Sequence, residues 1–302
     1  MRHLVSALFA LVAGASALAS DAPATVFATE FPFRDCNGVI CIDVALDGSP
    51  PHRLMLDTGN PHSVLVSEVA KPLGWTLSPL QREGKPVAGV YETGTHRIAL
   101  DSVEGAAKFL VIDRSRLGDG MPPVDGSIAY DFFKDRVLEI DYPRHRLRIS
   151  QLLSTPLSKP SGDEADLALI TFGKRGPPIV VGAGFKLNGR PLRAQIDTAY
   201  TGTLLVYDAA LGALGLTKQG KPEYFAYTDG GVNMLAASAN SIEFGKRIIA
   251  THPTMYFVGE GKNPVHQPDA LFEATVGNAL FAHSVLTLDF HAMKLDVKPS
   301  TG

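Results

Sequence analysis

The sequence predicts an all-β protein made of two homologous lobes, and three observations lead to this prediction. A segment containing Asp-Thr occurs twice, around Asp57 and Asp197. Short runs of alternating apolar and polar residues are separated by turns, in a chain with 29 Gly and 21 Pro, as in β-sandwiches and barrels. Helical periodicity is weak, so we expect only short helices, near 67–73, 131–133, 208–214 and 278–283.

The N-terminus carries the pattern of a secretory signal peptide over residues 1–19. A basic residue, Arg2, precedes an apolar run, and Ala17-Leu18-Ala19 is a small-x-small cleavage pattern. The alternative is a buried N-terminal helix. The run is shorter than the roughly 20 residues that span a bilayer, and no later run approaches that length. We therefore expect a secreted or periplasmic protein without a membrane span after signal removal.

The chain has two cysteines, Cys36 and Cys41, on either side of the turn dipeptide Asn37-Gly38. In an exported protein, this spacing predicts a local disulfide on a hairpin, with two free thiols as the alternative. No nearby His or second Cys pair completes a zinc set, so no metal site is expected.

The internal repeat organises the rest of the chain. The first copy reads LMLDTGNPHSVLV from Leu54, and the second reads AQIDTAYTGTLLV from Ala194. In both copies a Ser or Thr follows six positions after the Asp, and Leu-Val ends the segment. Further likeness follows at Tyr91 and Tyr227, which lie in turn-rich hairpin patterns, and in closing segments that end in Asp-aromatic pairs.

The stretch 154–166 is rich in Ser, Pro and charge and reads as a linker. It divides the chain into an N-terminal lobe over 20–153, with Asp57, and a C-terminal lobe over 167–302, with Asp197. If the two lobes pack about a pseudo-twofold axis, the two Asp turns meet.

Composition excludes some functions. The chain has 28 basic and 31 acidic residues and a net charge of −3, which argues against a nucleic-acid partner. The segment 179–185 lacks the third glycine of a dinucleotide-binding loop, and Pro222 stands where a phosphate loop needs Ser or Thr. No cofactor is expected.

Two neighbouring carboxyl groups suit the hydrolysis of an amide. At a separation of about 3 Å they share one proton, and their titration splits into a low and a raised apparent pKa. The ionised group takes a proton from water while the protonated group polarises the carbonyl.

These motifs resemble the pepsin-like aspartic proteases and, more closely, the bacterial retropepsin-like ones. In the latter an Asp-Thr-Gly turn is paired with a later segment like Gly-Tyr-Asp-Phe-Phe, which stands here as Ala-Tyr-Asp-Phe-Phe over 129–133. The resemblance covers nearly all of the mature chain. It implies a bilobal aspartic-protease-like fold of two β-barrel lobes, with Asp57 and Asp197 as the catalytic dyad.

The resemblance also assigns supporting roles. Thr58 and Thr198 would form hydrogen bonds across the axis, and Gly59 and Ala199 would occupy the third position of each Asp loop. Ser63 and Thr203 would brace the turns, and Tyr91 and Tyr227 would lie where a flap covers the substrate. Asp131 and Asp141 would have structural roles in the closing segment of the first half.

The sequence departs from the family pattern at several positions. Ala199 and Ala129 stand where the family has Gly, and Asn60 and Tyr200 stand where it has small residues. Ala at a positive φ costs about 1 kcal/mol or more, and a Tyr beside the dyad would narrow the cleft or alter its pKa values. His62, inside the first loop, is expected to face solvent.

We therefore expect an exported, monomeric aspartic endopeptidase that acts on a peptide or protein substrate. A catalytically silent peptide- or protein-binding module on the same scaffold is the main alternative. A homodimer that uses Asp57 from two chains and another hydrolase, such as a glycosidase with carboxylates about 5–10 Å apart, are further alternatives.

Overall fold

The computed structural model describes residues 27–82, 84–116, 122–151, 164–171, 178–227, 230–258 and 272–300. The predicted signal peptide lies outside these ranges. Of the predicted linker, only residues 164–166 are described.

The described residues of the first half form eleven strands and three short helical turns. In chain order they are β1 Phe27–Pro32, β2 Arg34–Cys36, β3 Val39–Leu46, β4 His52–Asp57, β5 Ser63–Val66, α1 Ser67–Ala70, β6 Ser78–Arg82, β7 Lys85–Leu100, β8 Val103–Ile112, a 3-10 turn Arg114–Arg116, β9 Gly126–Ala129, α2 Tyr130–Phe133, β10 Arg136–Asp141 and β11 Arg146–Gln151.

The second half follows a similar order, with more and shorter strands after its helical turns. Its elements are β12 Ala165–Thr171, β13 Pro178–Leu187, β14 Arg190–Ile196, β15 Leu204–Tyr207, a 3-10 turn Asp208–Ala210, α3 Leu211–Leu214, β16 Lys221–Tyr227, β17 Gly230–Ser238, β18 Ser241–Phe244, β19 Arg247–Thr251, β20 Thr254–Val258, β21 Ala274–Val276, a 3-10 turn Asn278–Phe281, β22 Ser284–Asp289 and β23 Lys294–Pro299.

The strand pairing of the two halves is the same around each Asp. In the first half β4 runs parallel to β9, β9 antiparallel to β5, and β5 parallel to β8. In the second half β14, β21, β15 and β20 pair in the same way. The sequence repeat is therefore a structural repeat, and it places each Asp at an equivalent strand end.

A six-stranded antiparallel sheet joins the lobes, in the order β1, β11, β10, β22, β23, β12. Its two central strands come from different halves, and Val137 to Asp141 pair with Asp289 to Val285. The strands on either side are equivalent under the repeat. The pseudo-twofold relation therefore passes between β10 and β22.

Tight turns begin each repeat. Asp47-Gly48 joins β3 to β4 and Asn188-Gly189 joins β13 to β14, and all four residues have positive φ. Such dipeptides favour the two-residue turns whose twist matches that of paired strands. The shared Leu-polar-Gly pattern of the sequence is thus a pair of equivalent hairpin turns.

One continuous apolar core runs through both lobes, and its largest fully buried side chains include Phe109, Phe133, Phe185, Phe244 and Phe281. The predicted all-β bilobal architecture is confirmed, with helices limited to single turns. No helix in the described ranges is both long enough and apolar enough to cross a bilayer.

Candidate active site

The two Asp residues of the repeat lie at the ends of equivalent strands. Asp57 ends β4, opposite Ala129 of β9. Asp197 directly follows β14, and its N–H donates to the carbonyl of Val276 in β21 (3.0 Å). A Cβ placed on Gly59 would lie 2.6 and 2.7 Å from the carboxylate oxygens of Asp197. The loop that carries Asp57 therefore touches the second carboxylate directly.

Thr58 and Thr198 join the two loops through four reciprocal hydrogen bonds. The N–H of Thr58 donates to Thr198 Oγ1 (3.0 Å), and the N–H of Thr198 donates to Thr58 Oγ1 (3.2 Å). Each hydroxyl in turn donates to a carbonyl of the opposite strand, Ile196 for Thr58 (2.8 Å) and Leu56 for Thr198 (2.9 Å). Both threonines are buried, so these bonds fix the loops relative to each other without competing water.

The environment of the two carboxyl groups favours protonation. Burial and then the negative charge of Asp197 raise the pKa of Asp57 well above its usual range, although hydrogen bonds from Asn60 and Gly59 lower it. Burial also raises the pKa of Asp197, against hydrogen bonds from the N–H groups of Ala199 (2.9 Å) and Tyr200 (3.2 Å). The repulsion between two ionised carboxylates acts on both groups equally, so it favours a pair in which one member is protonated.

Asn60, one of the departures from the family pattern, supports Asp57. Its Oδ1 accepts the N–H of His62 (3.1 Å), which leaves its amide NH2 to donate, and both its backbone and its side chain bond to Asp57. The side chain of His62 is exposed and lines a small cleft of about 130 Å³ with Glu92 and Lys108.

The two loops are braced differently. Ser63 Oγ donates to Asp131 Oδ1 (2.7 Å), and the Ser63 N–H bonds the same carboxylate. Ser63 Oγ also accepts the N–H of Ala129 (3.1 Å). In the second lobe, Thr203 bonds through its backbone carbonyl, which accepts the N–H of Gly277 (3.3 Å). The position equivalent to Asp131 is Ala279, which offers no carboxylate.

Ala199 fits its position without strain. It is absent from the residues with positive φ, so its Cβ carries no backbone penalty. It packs beside Met55 and both cysteines in a small apolar cluster that also contains Val39 and Val124. The replacement of glycine is therefore compatible with the loop.

Tyr200 folds back onto its own lobe. Its half-buried ring packs on a cluster formed by Ile179, Val181, Leu205, Tyr207, Met234 and Phe272. A Cβ on Gly202 would lie 2.9 Å from Cε2 of Tyr200, and a Cβ on Gly277 would lie 2.6 Å from Cδ1. These glycines make room for the ring. In the first lobe the equivalent positions hold Asn60 and Ala129.

The two flap candidates lie on strands. Tyr91 is in β7, in register with Pro79 at the base of the β6–β7 hairpin and with Val111 of β8. Its half-buried side chain packs on the core. Tyr227 ends β16 opposite Gly230, and its side chain lies outside the described part. A flap role for either residue stays a prediction.

Two further side chains, Gln195 and Asn278, contact the Asp loops, and neither was among the predicted site residues. Gln195 Nε2 donates to the carbonyl of Gly59 across the axis (2.7 Å), and its Oε1 accepts Thr275 Oγ1 (3.2 Å). Asn278 Nδ2 donates to the carbonyls of Thr198 (2.6 Å) and Gly38 (2.9 Å). Gln195 could have been noticed in the sequence because it is polar, whereas the equivalent position of the first repeat holds the apolar Met55.

Cys36 and Cys41 form a disulfide across the β2–β3 hairpin, with Cα atoms 6.0 Å apart. Asn37 and Gly38, between them, both have positive φ, as the two-residue turn requires. The predicted pairing is thus present, and the hairpin lies against the second Asp loop. No group of three or more His, Cys, Asp or Glu side chains in the described ranges is arranged to hold a metal ion.

Comparison with known proteins identifies the fold. Neither a family model nor a curated protein matches the sequence. Among solved structures, the aspartic proteinase from Irpex lacteus matches with a TM-score of 0.50 and 11% identity, over 91% of this chain and 98% of that one. Basic 7S globulin from soybean matches with a TM-score of 0.51 and 9% identity, over 92% and 96%. The chain therefore has the pepsin-like aspartic proteinase fold.

Proposed function

We propose that the protein is an exported, single-chain aspartic endopeptidase that hydrolyses peptide bonds with a water molecule activated between Asp57 and Asp197. One observation carries this proposal. The equivalent loops that carry Asp57 and Asp197 are joined by the hydrogen bonds of Thr58 and Thr198, and Gly59 of the first loop lies against the carboxylate of Asp197. Holding two carboxyl groups close together and away from water costs free energy, and groups with such perturbed pKa values are concentrated at catalytic sites.

The chemistry follows from the sharing of one proton. The ionised carboxylate of the pair accepts a proton from the water as the water oxygen adds to the scissile carbonyl carbon, and the protonated carboxyl group donates its proton to the carbonyl oxygen. In the resulting tetrahedral diol, the group that took the water proton donates it to the amide nitrogen, and the other group takes back the proton of one diol hydroxyl. The C–N bond then breaks, which releases an acid and an amine and restores the shared proton.

Hydrogen bonds reach both carboxyl groups. Asp197 accepts two loop N–H groups, and Asp57 accepts hydrogen bonds from Gly59 and Asn60, so either group can be the ionised member of the pair. Asp57 is only 7% exposed, and the repulsion between two ionised carboxylates keeps one member protonated. Because both Asp residues belong to one chain, a monomer is sufficient.

Export agrees with the N-terminal pattern and with the Cys36–Cys41 disulfide, because disulfides persist in oxidising compartments. The location, secreted or periplasmic, is part of the proposal.

A peptide- or protein-binding module without activity is the second candidate. One structural neighbour is named a globulin rather than a proteinase, and the second loop has Ala199 and Tyr200 in place of small family residues. Two findings weigh against it. Ala199 sits at an unstrained φ, and the Tyr200 ring packs on its own lobe.

Digestion of a peptide library between acidic and neutral pH separates the two candidates. We expect the wild-type protein to cleave, and Asp57→Asn and Asp197→Asn each to lower kcat/KM by about 10²–10⁴-fold, the usual contribution of a general acid or base. Asp166→Asn is the matched control, because this exposed carboxylate pairs with Lys294 away from the dyad. It should leave kcat/KM unchanged.

The outcomes are distinct. A correctly folded wild-type protein that cleaves no peptide but binds one would establish the binding module. Cleavage that survives Asp197→Asn but not Asp57→Asn would favour a homodimer built on Asp57. Inhibition by a statine-type transition-state mimic supports peptide-bond hydrolysis over glycoside hydrolysis.

A further inference from the structure

The β2–β3 hairpin of the first lobe lies against the Asp197 loop of the second, and three contacts join them. The carbonyl of Gly38 accepts a hydrogen bond from Asn278 Nδ2 (2.9 Å). Gly38 also approaches Thr201 so closely that a Cβ would lie 3.2 Å from its side chain. The disulfide and Val39 pack with Ala199 in one apolar cluster.

Asn278 is the polar centre of this contact. Its single amide group donates both to Gly38 and to the carbonyl of Thr198 (2.6 Å), inside the second Asp loop. Its Oδ1 accepts the hydroxyl of Tyr142 (2.7 Å), which fixes which end of the amide faces the loop. Its N–H bonds the carbonyl of Tyr200 (2.9 Å).

The hairpin itself is held in shape by short-range constraints. The disulfide closes it, and Asp35 Oδ1 accepts the N–H of Gly38 (2.6 Å). The Gly38 carbonyl is thereby presented at a fixed place. At the position equivalent to Asn278 the first lobe has Tyr130, whose side chain has no amide group.

We propose that Asn278 is a positioning residue for Asp197, and that the Cys36–Cys41 hairpin supports it. The proposal rests on the proposed function. Asn278 holds the carbonyl of Thr198, next to Asp197, while Ala199 and Thr201 are held by the hairpin. The N–H groups of Ala199 and Tyr200, which donate to the Asp197 carboxylate, are thereby held in a fixed orientation.

Kinetics of Asn278→Ala and Asn278→Asp test the positioning role. Misalignment of a catalytic group costs rate, so we expect kcat to fall about tenfold to a hundredfold in both variants with KM little changed. Asn240→Ala, in an exposed turn of the same lobe, is the matched control and should leave kcat unchanged.

The pH profile gives a second readout. Asn278→Asp keeps the shape of the side chain and adds a negative charge beside the loop, so the profile should move to higher pH. The other titratable groups around Asn278 are Asp197 on the loop and Tyr142, Asp35 and His145 around the adjoining cavity of about 200 Å³. An unchanged kcat and pH profile in folded variants would overturn the proposal.

The support from the hairpin is tested by replacing Cys36 and Cys41 with serine in the wild-type and Asn278→Ala backgrounds. If the hairpin acts through Asn278, kcat should fall in the wild-type background and fall less in the variant, since groups acting on one loop are not additive. If the cysteine replacements lower kcat by the same factor in both backgrounds, the hairpin does not act through Asn278, and this part of the proposal is wrong.

Amide exchange separates this proposal from the proposed function. If the wild-type protein cleaves no peptide, the proposed function fails, and the exchange rates of the Ala199 and Tyr200 amides decide the positioning role. Faster exchange in Asn278→Ala than in Asn240→Ala supports it. Equal exchange in the two variants overturns it.

Discussion

Gly59 owes its identity to the space that Asp197 occupies rather than to its backbone conformation. Its φ is not positive, but a Cβ would overlap the opposite carboxylate. Gly59 and Ala199, which occupy the third position of each Asp loop, therefore have different surroundings. Gly59 meets a carboxylate, whereas Ala199 meets an apolar cluster beside the disulfide. A glycine that looks like a turn requirement is here a packing requirement across the axis.

Gly59→Ala should consequently disable the site. The added methyl must displace Asp197, and a displacement of about 1 Å costs around a hundredfold in kcat/KM. The measurement is peptide hydrolysis by the purified variant. Gly212→Ala, where a Cβ meets nothing within 4 Å, is the control and should keep full activity. Full activity in Gly59→Ala would mean that the loops do not approach as described.

The two buried carboxyl groups also make stability depend on pH. Their pKa values in the folded protein are raised, so the folded state holds protons that the unfolded state releases above about pH 4. The stabilising contribution is complete below that pH and is lost as the pH rises through the folded pKa values.

Asp57→Asn, which cannot ionise, should escape this loss. We expect its Tm to exceed that of the wild type at about pH 8 and the difference to shrink toward about pH 4. Calorimetry across this range measures it. A Tm difference that is independent of pH would show that Asp57 ionises freely in the folded protein.

At the scale of elements, α2 braces the first Asp loop. Asp131, on α2, accepts both the hydroxyl and the N–H of the fully buried Ser63. The second lobe has Ala279 at the equivalent place, and its loop is held instead by backbone bonds and by the side chain of Asn278. The carboxylate brace of the first loop therefore has no counterpart at Ala279.

Asp131→Ala should destabilise the protein by about 1–3 kcal/mol, the cost of leaving buried donors without an acceptor. Urea denaturation measures the loss. Asp166→Ala, which breaks only an exposed ion pair with Lys294, should cost less than about 1 kcal/mol. Equal losses in the two variants would contradict the bracing role.

Local patterns predicted many of these elements. The equivalent turns at Asp47-Gly48 and Asn188-Gly189 follow from dipeptides that favour positive φ. A short helix lies within a few residues of each expected range, but the 3-10 turn Arg114–Arg116 was not expected. The strands that carry Asp57 and Asp197 could be predicted because the same motif occurs at matching places in both halves, although each copy alone is weak evidence.

The contacts between lobes could not be predicted in this way. Gln195 and Asn278 find their partners, Gly59 and Gly38, more than a hundred residues away, and nothing in the neighbouring residues indicates such a partner. The direction of the Tyr200 ring depends on Gly202 and Gly277 leaving room for it, which only the assembled loops reveal.

At the scale of the whole molecule, the repeat places the site between the lobes rather than within either one. The sheet that pairs β10 with β22 joins the lobes on one side, and the Thr58–Thr198 bonds join the Asp loops. The proposed function requires that one chain bring Asp57 and Asp197 together as a pair that shares a proton.

Carboxyl ¹³C NMR titration of the monomer, with Asp57→Asn and Asp197→Asn as assignment controls, tests this claim most directly because it requires no substrate. We predict that both resonances follow the same two steps, one well above the ordinary carboxyl range, and that each variant leaves a single step. If each carboxyl group titrates in a single step at about pH 4, and replacing one Asp leaves the step of the other unchanged, the two groups do not share a proton.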